Sequence, residues 1–259
     1  MSATHLIYRV EHAGQQIYVV CADGGWHQLR GDVFDQYTTG SLVDPSECRV
    51  LAPVLPSKIV AVGLNYRDHA REMNKPLPGV PLVFLKPSTA VINTGDAIVI
   101  PANVGRVDYE AELAVVIGRR AKSVSARDAK DYILGLTCMN DVTARQLQSL
   151  DVQYTRAKGF DTFAPLGPAI AVGLDDSELN VEAWLNGGRR QASNTRELIF
   201  SISQLVEFVS SVMTLLPGDV ISTGTPSGVG PLVAGDEIVV KVPGIGELTN
   251  RVIAAGNPA

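Results

Sequence analysis

Along most of the chain, apolar residues come in short runs with a two-residue alternation, the period of strands whose successive side chains leave opposite faces. Residues 6–20, LIYRVEHAGQQIYVV, read as two strands around a polar turn at 13–15, and GGWHQLRGDVF continues in the same broken style. In VDPSECRVLAPVLPSK, Pro45, Pro53 and Pro56 each remove an amide donor and bias the residue before them to extended geometry, which predicts a linker. A small N-terminal β domain over 1–55 and a larger domain over 56–259 are therefore expected. Further strands are predicted at KIVAVG, PLVFLK, AIVIP, VDYEAELAVVIG, YILGLTCMND, PAIAVG, VEAWLNG, DVISTG, EIVVKV and GELTNRVI. Helical periodicity is sparse. RDHAREMN supports a turn or two before Pro76, and ISQLVEFVSSVMTL carries one apolar face of Ile202, Leu205, Val206, Val209 and Val212 before PGD ends it. Strands dominate without alternating regularly with helices, so the fold class is α+β and β-rich, not doubly wound.

Composition narrows the function classes. The 259 residues are 46% hydrophobic and 19% charged, enough for a large core. Lys and Arg number 22 against 27 Asp and Glu, with no basic block to track a phosphate backbone, so nucleic acid is not an expected partner. No apolar run reaches the ~20 residues of a membrane span, and MSATHLIYRVEHAG does not read as a secretory signal. Cys21, Cys48 and Cys138 are widely spaced and suggest neither a disulfide framework nor a zinc site; a reducing cytoplasm is the expected setting.

Five stretches carry residues suited to chemistry. In VDYEAELAVV, Glu110 and Glu112 share a strand face, and two carboxylates so close need a proton, basic partners or a hard divalent cation. The alternative is the solvated face of an edge strand. Asp141, at the end of YILGLTCMND, supplies a third carboxylate from another strand, or else caps the helix that follows with Arg145 and Gln148. His69 and Glu72 are neighbours on one helical turn, an arrangement for a general base or an ordinary surface pair. RAKGFDTFAPLGP places Lys158 near Asp161 in a loop, where the lysine could stabilise an enolate or carboxylate, or form a surface salt bridge. Finally, STGTPSGVGP offers backbone amides and Thr225 to an anion, but it lacks the ending of a P-loop and could equally be a plain turn.

Taken in order, VGLNYRDHARE, FLKP, DYEAELAVVIG, NDVTAR, KGFDTFAPLGP and TGTPSGVGP resemble the fumarylacetoacetate hydrolase superfamily over roughly residues 57–253. The resemblance implies that family's C-terminal-like fold, mixed β-sheets rolled around the active site, and a homodimer. It implies Mg²⁺ or Mn²⁺ on Glu110, Glu112 and Asp141, a catalytic His69–Glu72 dyad with Lys158, and substrate contacts from Arg145, Gln148 and Thr225. The expected substrate is a small 2-oxo acid. Animal fumarylacetoacetate hydrolases carry a further metal-binding aspartate seven residues before the histidine, where this chain has Val62, which points to the smaller acylpyruvase, decarboxylase and isomerase members. Hydrolysis or decarboxylation of an acylpyruvate or oxaloacetate-like acid is the expected reaction. Isomerisation of 2-hydroxyhepta-2,4-diene-1,7-dioate in aromatic-acid breakdown is the alternative, and an inactive binding homologue the second.

Overall fold

A computed structural model describes residues 4–256; residues 1–3 of the expected division 1–55 and residues 257–259 of the expected division 56–259 lie outside the described residues. Ten strands form the main path of a twelve-stranded sheet, in the order Tyr37–Val43, Gly25–Gly31, Gln15–Ala22, His5–His12, Ala164–Val172, Ile133–Asn140, Ala111–Ile117, Val220–Ser222, Ile59–Gly63, Leu82–Lys86. A five-stranded sheet, Gly188–Asn194, Asn180–Leu185, Glu237–Val242, Gly246–Ala254, Ala97–Ile100, packs against it. A third, three-stranded sheet joins Thr143–Ala144, Val107–Tyr109 and Gly230–Leu232. The β-rich α+β class is the one observed.

Strand Ala111–Ile117 is buried along its whole length, and the two-residue period shows why. Tyr109, Ala111, Leu113, Val115 and Ile117 face one core with Val181, Ala183, Ile238 and Val240 of the five-stranded sheet. Ala114 and Val116 face the other core, with Met139, Leu166 and Ile170. Each such aliphatic side chain removed from water contributes roughly 1.5–3 kcal/mol before entropy is counted.

The N-terminal strands join the same sheet: His5–Ile7 pair with Ile170–Val172, and Arg9–His12 pair with Cys48–Leu51, a strand inside the proline-rich stretch expected to be linker. The first turn consists of Ala13 and Gly14, at φ 49° and 75°, and Gln15 already belongs to the next strand.

Four helices matter for the site: α1 (Arg67–Glu72), α2 (Arg145–Leu150), α3 (Thr155–Lys158) and α4 (Ile202–Val212). Helix α4 follows its apolar stripe and starts with a capping box between Ser201 and Gln204. Val212, expected on the buried face, is 56% exposed because it is the last helical residue, beyond the edge of the core. Lys158 was expected in an irregular loop; it closes the single turn of α3, whose inner residues Ala157 and Lys158 are buried.

The strand predicted across VDYEAELAVVIG is interrupted at Glu110. Val107–Tyr109 pair in the three-stranded sheet and Ala111–Ile117 in the large one. At the break, side chains replace the ladder: Asn140 Oδ1 accepts from the Glu110 amide at 2.9 Å, and Gln191 Oε1 accepts from the Ala111 amide at 2.9 Å. The Glu110 carbonyl accepts from the Asp141 amide at 2.9 Å, which ties the two acidic positions together through the backbone.

Candidate active site and metal centre

Where the large and three-stranded sheets part at Glu110, a cavity of about 490 Å³ opens. Glu110, Glu112, Asp141, His69, Lys158, Arg145, Gln148 and Thr225 all line it. Glu72 reaches it through His69, whose Nδ1 lies 2.9 Å from Glu72 Oε2.

Glu110, Glu112 and Asp141 are buried, and each can present a carboxylate oxygen within 4.8 Å of the others. Such a set suits a hard divalent ion that keeps part of its water shell. Neither bland reading of these residues describes the structure. Glu110 and Glu112 are 6% and 1% exposed, so they are not a solvated face. Asp141 does not cap α2, whose cap position is Ala144.

The carboxylates are held by a shell of donors. Lys158 Nζ donates to Glu110 Oε2 at 2.8 Å and to Asp141 Oδ2 at 2.5 Å. Arg145 Nη2 lies 2.5 Å from Glu110 Oε1, while its Nε donates to Asp108 at 2.8 Å. Asp108 is also gripped by Arg106. Ser222 Oγ and the Gly224 amide both donate to Glu112 Oε2, and among the described residues none donates to Oε1. Burial by itself would raise Glu110, but Lys158 and Arg145 outweigh it and hold the carboxyl down to about 2. Among the described residues no cation forms an ion pair with Glu112: burial, with Asp141 and Glu110 nearby, pushes its carboxyl well above the usual range. A divalent ion offers Glu112 the counter-charge it lacks, so the residues present fit one.

Helix α1 carries the dyad. Arg67 donates to the Leu198 carbonyl at 2.7 Å and Arg71 to Glu197 at 3.1 Å, docking the helix on the segment before α4. His69 is buried, not the surface residue of an ordinary helical pair. Glu72 Oε1 also accepts from the Gly228 amide at 3.0 Å, and the Gly228 carbonyl accepts from Tyr109 Oη at 3.0 Å. The glycine-rich loop therefore braces the carboxylate that orients the imidazole. Thr225 Oγ1 donates to the Ala111 carbonyl and accepts from Gln191 Nε2, both at 2.9 Å. Gln148 Oε1 accepts from Arg145 Nη1 at 2.9 Å. Lys158 does not pair with Asp161, which is exposed; its ammonium lies over Phe84, 5.0 Å from the ring centre.

Sequence reading missed Lys86. This residue is fully buried at the end of the edge strand Leu82–Lys86 and donates to Asp141 Oδ1 at 2.6 Å and to the Val142 carbonyl at 3.2 Å. The signal was a lysine inside the apolar run PLVFLK, two positions after Phe84 and hence on the same face. Ser222, Asp108, Asn140 and Gln191 were missed as well; nothing local marks them as supports of distant carboxylates.

Comparison with known proteins agrees with this geometry. The family described as Fumarylacetoacetate (FAA) hydrolase C-terminal matches residues 58–253. Oxaloacetate tautomerase FAHD2B, mitochondrial, of Bos taurus is 42% identical over 221 residues, 80% of this chain and 70% of that one. The crystal structure of 2-hydroxyhepta-2,4-diene-1,7-dioate isomerase from Mycobacterium marinum superposes with a TM-score of 0.91 at 39% identity, covering 98% of this chain and all of that one. Maleylpyruvate hydrolase from Sphingobium sp. SYK-6, solved in complex with manganese (II) ion and pyruvate, superposes at 0.81 with 29% identity, covering 97% of this chain and all of that one. With the carboxylate cradle, the dyad and the match across 58–253 in agreement, the chain belongs to the fumarylacetoacetate hydrolase C-terminal family.

Proposed function

We propose that this protein is a Mg²⁺- or Mn²⁺-dependent enzyme that forms and reprotonates the enolate of a small 2-oxo acid, as a tautomerase or isomerase. The observation that carries this reading is the placement of three clustered carboxylates, a carboxylate-oriented histidine and the Lys158 ammonium around one cavity. Glu110, Glu112 and Asp141 would hold the ion, which when bound polarises the 2-oxo group and stabilises the negative charge that develops there.

The protein's own groups account for the proton. With Glu72 accepting from Nδ1–H, His69 is held as the tautomer whose Nε2 is free to act as base. That nitrogen takes a proton from C3 of the acid; in tautomerisation the proton is delivered to the enolate oxygen, giving the enol, and in isomerisation to a conjugated carbon. Lys158 lies against Glu110 and Asp141 and strengthens the local positive field at the developing oxyanion. Arg145, held by Asp108, faces the cavity and pairs with the substrate carboxylate, with Gln148 beside it.

Proton transfer is placed ahead of hydrolysis or decarboxylation, the reverse of the order expected from sequence. The 42% and 39% identical relatives carry tautomerase and isomerase names, and relatives named as hydrolases are 32% and 29% identical. Hydrolysis remains the second reading because a base oriented as His69 is can equally activate water. Tautomerisation of oxaloacetate, isomerisation of the hydroxy-diene dioate and cleavage of an acylpyruvate, each measured with Mn²⁺, with Mg²⁺ and with EDTA, separate the readings. Metal-dependent proton transfer outpacing cleavage supports the first. Activity intact in EDTA contradicts both, and metal binding without turnover of any substrate indicates a binding homologue.

A further inference from the structure

We infer that Lys75, just past α1, binds the charged far end of the substrate and so selects dianionic over monoanionic 2-oxo acids. This rests on the function proposed above.

Charge matching around the clustered carboxylates is the first support. Asp108, Glu110, Glu112 and Asp141 are four carboxylates, and Lys86, Arg106, Arg145 and Lys158 are the four cations in contact with that group. Inner protein charge is thus balanced, and a divalent ion adds the two positive charges that a substrate carboxylate and its enolate oxygen neutralise. Arg145 is the cation of this set that meets the substrate's first carboxylate, so a second carboxylate on the same molecule has no further cation of the four to pair with. Of the ammonium and guanidinium groups that line the cavity, Arg145 and Lys158 are committed to carboxylates and Lys75 is not. Among the described residues, its ammonium has no acidic partner within ion-pair distance.

The second support is that the backbone of Lys75 is fixed although its side chain is exposed. Helix α1 ends in a Schellman arrangement: the Asn74 amide donates to the Arg71 carbonyl at 3.1 Å and the Lys75 amide to the Ala70 carbonyl at 2.9 Å. Asn74 takes the left-handed conformation this demands, φ 50°. Pro76 follows and restricts Lys75 to extended geometry. Lys75 shares the cavity lining with the apolar and aromatic side chains of Met73, Leu82, Phe84 and Tyr154. A substrate reaching Lys75 therefore needs an apolar or conjugated middle and an anionic end.

Calorimetry on the full chain loaded with Mn²⁺ tests this. Oxalate probes the chelating end alone. Two pairs of acids matched in length probe the tail: 2-oxopentanoate with 2-oxoglutarate, and 2-oxohexanoate with 2-oxoadipate. Wild type should favour the dianion of at least one pair by about tenfold, the worth of one charge-assisted hydrogen bond. Lys75→Met should abolish that preference while leaving oxalate affinity unchanged, and Lys75→Arg should keep it. Absence of any preference in the wild type, or its survival in Lys75→Met with normal oxalate binding, overturns the assignment of Lys75 alone. Failure of oxalate to bind in a Mn²⁺-dependent way overturns the reading of the site, and this inference with it.

Discussion

Replacing Lys86 with methionine removes a cation from a place no water reaches while nearly keeping its volume. Asp141 would keep Lys158 on Oδ2 but lose the only donor on Oδ1 among the described residues, and the Val142 carbonyl would lose a hydrogen bond. Breaking one partner out of a buried ion pair costs about 3–5 kcal/mol, because the remaining charge stays buried without compensation. The remaining contact to Lys158 places the expected loss near ~3 kcal/mol on that scale. For a chain of this size that is roughly a 6–12 °C fall in Tm. The assay is thermal and urea unfolding in EDTA, with Lys241→Met as control. Lys241 pairs with Glu247 at the exposed surface, and its loss should leave stability nearly unchanged. Adding Mn²⁺ should recover a larger share of stability in Lys86→Met than in wild type, since the ion supplies the missing counter-charge to the same carboxylate. A loss in EDTA no greater than that of the control, or equal metal stabilisation of variant and wild type, refutes the view that Lys86 holds Asp141 for the ion.

Three further outcomes follow from the same geometry. His69→Ala should leave Mn²⁺ affinity unchanged and lower kcat by about 10²–10⁴, the usual worth of a positioned base. Gly228→Ala should lower turnover without loosening the metal, because Gly228 sits at φ 95° and an added Cβ would lie 2.3 Å from the Arg190 carbonyl, displacing the amide that braces Glu72; unaltered turnover would remove the loop from the account. Burial pushes the Cys138 thiol up to about 12, so a thiol reagent at pH 8 should label the half-buried Cys21 and Cys48 in the native protein and reach Cys138 only on unfolding; three rapid equivalents from native protein would contradict that.

The parts of the site that sequence made legible are those set by short-range periodicity. The i, i+2 spacing of Glu110 and Glu112 and the i, i+3 spacing of His69 and Glu72 each fix a shared face. The interruption at Glu110 was not legible, because its cause is two amide side chains, Asn140 and Gln191, that arrive from elsewhere in the chain. Lys86 escaped notice for a related reason. A lysine at the end of an apolar strand reads as solvent-facing until Asp141, fifty-five positions away, is known to meet it. The pairing of the N-terminal strand with Ala164–Val172 is equally long-range and leaves no local mark. The fold class survived these gaps because it depends on strand content, not on which strands pair.

The central claim is that Glu110, Glu112 and Asp141 form one divalent-cation site. Calorimetric titration of Mn²⁺ into wild type and Glu112→Ala tests it most directly. Outer-shell losses alone weaken metal sites by about 10–100-fold, so losing a ligand should weaken Mn²⁺ by more than about tenfold. Equal affinity in the two proteins would contradict the account.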